Sequence, residues 1–198
     1  DEPMGDSSLV PSFLMCKLAK NQVTVALGGD GSDELFAGYD PFKALRLADI
    51  YSNRAPKFIH ELISNLVQKM PVSHKNMSLD FKLKRFFSGV SYDNAIRNPI
   101  WLGPLPPIHI SGLFEESIDT EEIYSEAIEA WDYTKSNNSI DRTLQFYCEL
   151  YLQNDILVKM DRAGMLNSLE VRSPFLDIEF VDLVRQIPAS MKYDGKET

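Results

Sequence analysis

The chain has 198 residues, 44% of them hydrophobic and 25% charged, and a formal net charge of −9. So much apolar surface can offset the entropy of ordering a core, which excludes a disordered chain. The acidic excess repels phosphate backbones, so no nucleic-acid partner is expected. No apolar run approaches the roughly 20 residues that span a bilayer, so no membrane role is expected either. Cys16 and Cys148 are far apart in apolar surroundings and are expected to be free, buried thiols. His60, His74 and His109 are scattered, and no metal-ligand spacing occurs. The opening Asp1-Glu2-Pro3 has neither an initiator Met nor a signal peptide, and Gly195-Lys196-Glu197-Thr198 ends on no closing element. The expectation is an internal, cytoplasmic segment of a longer protein.

Taken in chain order, residues 3–8 are turn-like, with Asp6 or Ser7 placed to cap a helix. Apolar Val10, Phe13, Leu14 and Leu18 recur at helical spacing and predict an amphipathic helix over 9–20, with Pro11 tolerated in its first turn. Residues 23–27 are β-branched and apolar without polar alternation, which predicts a buried parallel strand. A single strand makes no sheet, so its partners are expected outside the segment. The strand runs into Gly28-Gly29-Asp30-Gly31, and Ser32 is placed to cap a helix starting at Asp33. The rest reads as helical, over 41–52, 56–69, 78–89, 121–135, 140–157 and 176–187. Four prolines (Pro99, Pro104, Pro106, Pro107) predict an irregular stretch over 98–107. Lys82, Lys84 and Arg85, with Lys75 nearby, read as a solvated helix face.

Two stretches carry chemistry. The first is LGGDGSDELFAGY, residues 27–39. Glycines let backbone N–H groups approach an anion, and a helix start adds a favourable dipole, so the loop suits phosphate. Asp30, Asp33 and Glu34 would repel that phosphate unless a cation lay between them. Mg²⁺, held by one or two carboxylates plus phosphate oxygens, fits this donor set. A calcium loop does not, because the required ligand spacing is missing. Acidic residues also complement a helix dipole without any ligand, and spacing alone leaves both readings open. The second stretch is DRAGMLNSLEVRSPFLD, residues 161–177. It reads as a helix ending near Asn167, a charged pair of Glu170 and Arg172, and a new helix capped by Asp177. The pair could simply brace a turn between helices.

Together the two stretches resemble the signature segments of the glutamine-hydrolysing asparagine synthetase family, which have the forms SGxGxDExFxGY and DRxSMAxSLEVRxPFLD. The segment from Asp1-Glu2-Pro3 through Asp6-Ser7-Ser8 resembles what precedes the strand in that family. The resemblance spans nearly the whole chain. It implies an α/β parent fold of the ATP-pyrophosphatase type, like the adenine nucleotide alpha hydrolases. Residues 1–198 would be part of a single synthetase domain, truncated at both ends, predominantly α-helical with few parallel strands and without a glutaminase domain.

By the same resemblance, ATP and Mg²⁺ are implied as cofactors. Aspartate would be adenylated with release of pyrophosphate, and ammonia from glutamine would then form asparagine and AMP. The ammonia would come from an N-terminal glutaminase domain of the parent chain, and a homodimer is left open. Gly28, Gly29, Gly31 and Ser32 match the nucleotide-bordering loop, and Asp33 matches a metal ligand. Asp30 matches a catalytic position near the attacking ammonia; Asp155, Glu170 and Arg172 match the substrate pocket. Gly28 stands where the family usually has Ser, and Gly164-Met165-Leu166-Asn167 departs from the usual Ser-Met-Ala-x. The family's nucleotide-binding SGGxDS loop and its catalytic lysine are not in the segment, which is expected to be inactive alone. The alternatives are a sister amide-forming enzyme, such as a β-lactam synthetase or a peptide cyclase, and a non-catalytic domain that keeps the fold.

Overall fold

The structure is a computed structural model that describes residues 3–73, 75, 77–115 and 118–193. The expectations placed on Asp1, Glu2, His74 and Gly195 to Thr198 lie outside the described residues. Most of the chain is helical, with two strands that pair in parallel. It divides into two compact units. One combines residues 3–39 with 144–193; the other runs from 40 to 143.

In the first unit, α1 (Leu9–Lys20) leads into β1 (Val25–Leu27) and then α2 (Ser32–Phe36). Helix α1 has the expected bounds, but the other face is buried. Val10, Leu14 and Leu18 are exposed, while Cys16 is buried with Ala163 and Leu169, and Leu9 and Phe13 pack around them. The helix is apolar nearly all round, so its periodicity could not tell which face turns inward. Strand β1 also differs from expectation: Val25 and Leu27 are exposed. Its partner lies within the segment, as β2 (Glu170–Arg172), in the register Val25↔Glu170, Ala26↔Val171, Leu27↔Arg172.

The second unit holds α3 (Asp40–Arg54), α4 (Lys57–Gln68), α5 (Leu79–Gly89), α6 (Asn94–Leu102), α7 (Pro107–Ser111), α8 (Thr120–Ile123) and α9 (Ser125–Tyr133). Helix α6 falls where prolines predicted irregular chain. Asp93 caps it by accepting the Ala95 N–H at 2.9 Å, and Pro99 sits inside it. Burial of Ala95, Ile96 and Ile100 against Trp131 offsets what Pro99 costs the helix. Lys84 and Arg85 are not merely solvated. They donate to the carbonyls of Met70 (2.9 Å) and Gly103 (2.5 Å), and the Arg85 guanidinium lies over the Phe81 ring.

Helix α10 (Ser139–Phe146) crosses the boundary between the units, which falls after Thr143. It continues without a break into a π-helical segment, Tyr147–Ile156, and then α11 (Leu157–Leu166). Beyond β2 come a 3₁₀ turn (Pro174–Leu176), α12 (Ile178–Arg185) and α13 (Ala189–Lys192). Asp177 caps α12 as expected, accepting from the N–H groups of Glu179 and Phe180. Both cysteines are free; Cys16 is buried and Cys148 half-buried. Among the described residues no helix is long and apolar enough to cross a membrane.

Candidate functional site

The parallel pairing of β1 with β2 brings the two chemical stretches together. Gly28 donates its N–H to the Arg172 carbonyl (2.8 Å), extending the ladder one residue past β1. Just beyond β2, the Ser173 hydroxyl lies 3.5 Å from Asp30 Oδ2, at the outer limit of a hydrogen bond. Gly28 leaves room here for the Asp30 carboxylate. A Cβ on it would lie 2.9 Å from Asp30 Oδ2 and 3.3 Å from Val171, so the Ser typical of the family would displace the carboxylate. Gly31, not Ser32, is the N-cap of α2. Its φ of 93° is left-handed, a conformation that favours glycine, and a Cβ there would run into Leu176. Ser32 is the first helical residue.

The loop opens onto a cleft of about 470 Å³. Its walls are Ser12 and Met15 of α1, the loop from Gly28 to Glu34, Tyr39, Tyr151 and Ile156 of the π segment, and Lys159 and Met160 of α11. Gly29 has open space where a Cβ would sit. Asp33 is exposed, whereas Glu34 is buried and accepts a hydrogen bond from the Tyr39 hydroxyl. Burial and that bond push the Tyr39 hydroxyl's pKa well up. The Tyr39 ring stacks on Tyr147 at 4.7 Å and meets Tyr151 edge-on at 5.6 Å, which fixes the floor of the cleft. Helix α2 has only five residues, so its dipole is small; an anion here would depend on loop amides.

Lys159 is the one cleft residue with a role that the sequence reading missed. It is buried, and its ammonium donates to Asp6 Oδ2 at 2.7 Å. Asp6 is held further by the Ser8 N–H (2.8 Å) and Ser8 hydroxyl (2.6 Å). Burial works against the Asp6 charge, but the bonds from Lys159 and Ser8 outweigh it and lower the pKa. Asp30 shifts the other way: burial raises its pKa, and Lys159, Ser173 and its own backbone only partly oppose this. Asp155 lies on the π segment, next in sequence to the cleft-lining Ile156. Burial and the Asp6 charge raise its pKa, with Lys159 opposing. Lys159 follows Asp155 by four residues and sits between apolar Val158 and Met160. A lysine flanked by apolar Val158 and Met160 in a helical stretch was the signal available.

The structure thus gathers Gly28, Gly29, Asp30, Gly31, Ser32 and Asp33 on one cleft. Glu170 and Arg172 form the expected pair, with Arg172 Nε 2.8 Å from Glu170 Oε1. They lie exposed on β2, outside the residues that line the cleft. The oxygen donors fit Mg²⁺ only in the mode where phosphates complete the shell around an exposed carboxylate such as Asp33. Among the described residues, no three His, Cys, Asp or Glu side chains converge as a protein-only metal cage.

A glycine loop between a parallel strand and a short helix faces an acidic cleft, an arrangement whose loop amides are chemically suited to a phosphorylated ligand. The chain belongs to the asparagine synthase family, whose pattern it matches over residues 1–198. It is 31% identical to glutamine-hydrolyzing asparagine synthetase 1 of Bacillus subtilis, over 97% of this chain and 29% of that protein. To a putative glutamine-hydrolyzing asparagine synthetase of Mycobacterium bovis it is 30% identical, over 97% of this chain and 28% of that protein. It is also 26% identical to Amidase chry2 of Gibberella zeae, over 88% of this chain and 27% of that protein. The chain therefore spans under a third of the length of these relatives. No solved structure matches it.

Proposed function

We propose that the protein containing this chain is an ATP-dependent carbon–nitrogen ligase that converts aspartate to asparagine, with ammonia drawn from glutamine by an N-terminal glutaminase domain. The observation that carries this reading is the parallel pairing that sets the second family stretch directly beside the cleft-lining glycine loop of the first, in a chain of the asparagine synthase family. In this reading residues 1–198 are part of one synthetase domain with an adenine nucleotide alpha hydrolase-like fold. ATP with Mg²⁺, when bound, would supply the adenylyl group that turns the substrate carboxylate into an adenylate, with pyrophosphate as the leaving group. Gly28, Gly29, Gly31 and Ser32 border the nucleotide, with Gly29 giving the open approach. Asp33 offers an exposed carboxylate to the metal.

Asp30 is the catalytic residue. Its burial makes it a stronger base than a solvated carboxylate, which suits it to take a proton from the attacking ammonia. Asp155, Glu170 and Arg172 belong to the substrate pocket in this reading, the last two from its rim. The chemistry relies on positioning and on neutralising phosphate charge.

The test follows pyrophosphate release by the full-length protein with ATP-Mg²⁺, aspartate and glutamine. Aspartate-dependent release is expected, and Asp33→Ala should lower it roughly 100-fold or more. Release that ignores aspartate but follows another carboxylate would replace this reading with a sister activity, for which the similarity to a protein named Amidase chry2 is the supporting observation. No release with any carboxylate would leave a fold without catalysis.

A further inference from the structure

We infer that Lys159 is a positioning residue of the site, whose buried ammonium, tethered by Asp6, sets the charge environment of the Asp30 carboxylate across the cleft they share. The catalytic consequence rests on the proposed ligase reading; the charge relation does not. Lys159 and Asp30 line the same cleft from different elements, α11 and the glycine loop. The lysine is buried, so it cannot discharge its field into water as a surface lysine does. Its ammonium donates to Asp6, from the segment before α1, and Asp155 precedes it by four residues in the same continuous helical run. One ammonium thus serves three acids from three parts of the chain. Asp6 takes the direct bond, and Asp30 and Asp155 feel the remaining field.

The other groups around Asp30 do not supply positive charge. Ser173 offers a hydroxyl at 3.5 Å, Cys16 of α1 is a buried neutral thiol, and Asp33, Glu34 and Tyr39 are acidic or neutral. Lys159 is the one cation among the residues that line the cleft. A lysine that merely glued Asp6 to α11 would act through that bond alone. A lysine that sets the charge at Asp30 acts through its field, and the two roles separate on mutation. Removing Asp6 breaks the bond but leaves the ammonium, now less neutralised, to act on Asp30.

The experiment titrates the Asp30 side-chain carbon by ¹³C NMR in the full-length protein, assigned by its loss in Asp30→Asn, beside the acidic limb of the pyrophosphate-release profile. Lys159→Met should move the Asp30 titration to higher pH, and Lys159→Arg should restore it. Asp6→Asn should leave it in place or move it to lower pH. An unmoved titration in Lys159→Met overturns the inference. So does a rise in Asp6→Asn, the outcome expected of a purely structural tether; this arm decides alone if Lys159→Met does not fold. If the NMR titration moves as expected while the unmutated protein releases no pyrophosphate, the charge role stands and the ligase reading fails.

Discussion

The two units treat buried charge in opposite ways. In the unit of residues 40–143, Arg97 is 2% exposed, and both terminal nitrogens of its guanidinium are hydrogen-bonded. It donates to Asp49 at 2.9 Å and to Ser52 at 3.1 Å, and lies over the Trp101 ring. Asn98, also buried, donates to Thr143. These polar groups join one helix to another within the unit. In the unit that carries the glycine loop, Lys159 is similarly buried and bonded to Asp6, and it shares the cleft with Asp30, Asp33 and Glu34, so acids outnumber the cation there. A closed pair rigidifies packing; an incompletely balanced cluster at a cleft keeps groups reactive.

The sharpest way to break this contrast is Asp49→Ala. It leaves the buried Arg97 without its counter-charge and should destabilise the protein by about 3–5 kcal/mol in a denaturant titration. Catalysis by the remaining folded molecules should be unaffected. A loss of turnover per folded molecule would mean that this pair serves the site after all. Next comes Gly31→Ala. The left-handed backbone and the closeness of Leu176 predict a loss of about 1–3 kcal/mol. Because Gly31 sets the loop, nucleotide-dependent pyrophosphate release should fall further than stability does. The smallest effect belongs to the Glu170–Arg172 pair. Both side chains are more than half exposed, so Glu170→Gln should change stability by less than about 1 kcal/mol. A large rise in the KM for aspartate with that small stability change would place the pair at the substrate rim; no kinetic change would leave it as a brace on β2.

Much of the helical layout was legible in the sequence because helix propensity and capping are local. Helix α1 has the expected bounds, α11 ends at Leu166 with Asn167 as its C-cap, and Asp177 caps α12. What failed depends on distant partners. Helix α6 forms despite Pro99 because Trp131 and its neighbours bury it. Strand β2 is only three residues long, two of them charged, and exists because β1 offers a parallel edge. Nor could periodicity separate the wider turns of the Tyr147–Ile156 segment from ordinary helix, although two of its residues line the cleft. At the candidate site, the glycine loop stood out because glycines and acids alternate there. Lys159 did not, since nothing local ties it to Asp6, 153 positions away.

The pairing of β1 with β2 also imposes an order of events as the chain leaves the ribosome. Residues 40–143 are continuous, so their helices can close on one another as soon as they emerge. Strand β1 is made before that whole stretch and β2 after it. The glycine loop therefore gains its final shape only when the last strand arrives and zips alongside the first. Until then the backbone groups of Val25 to Leu27 that face β2 lack those partners, and the strand keeps an open edge.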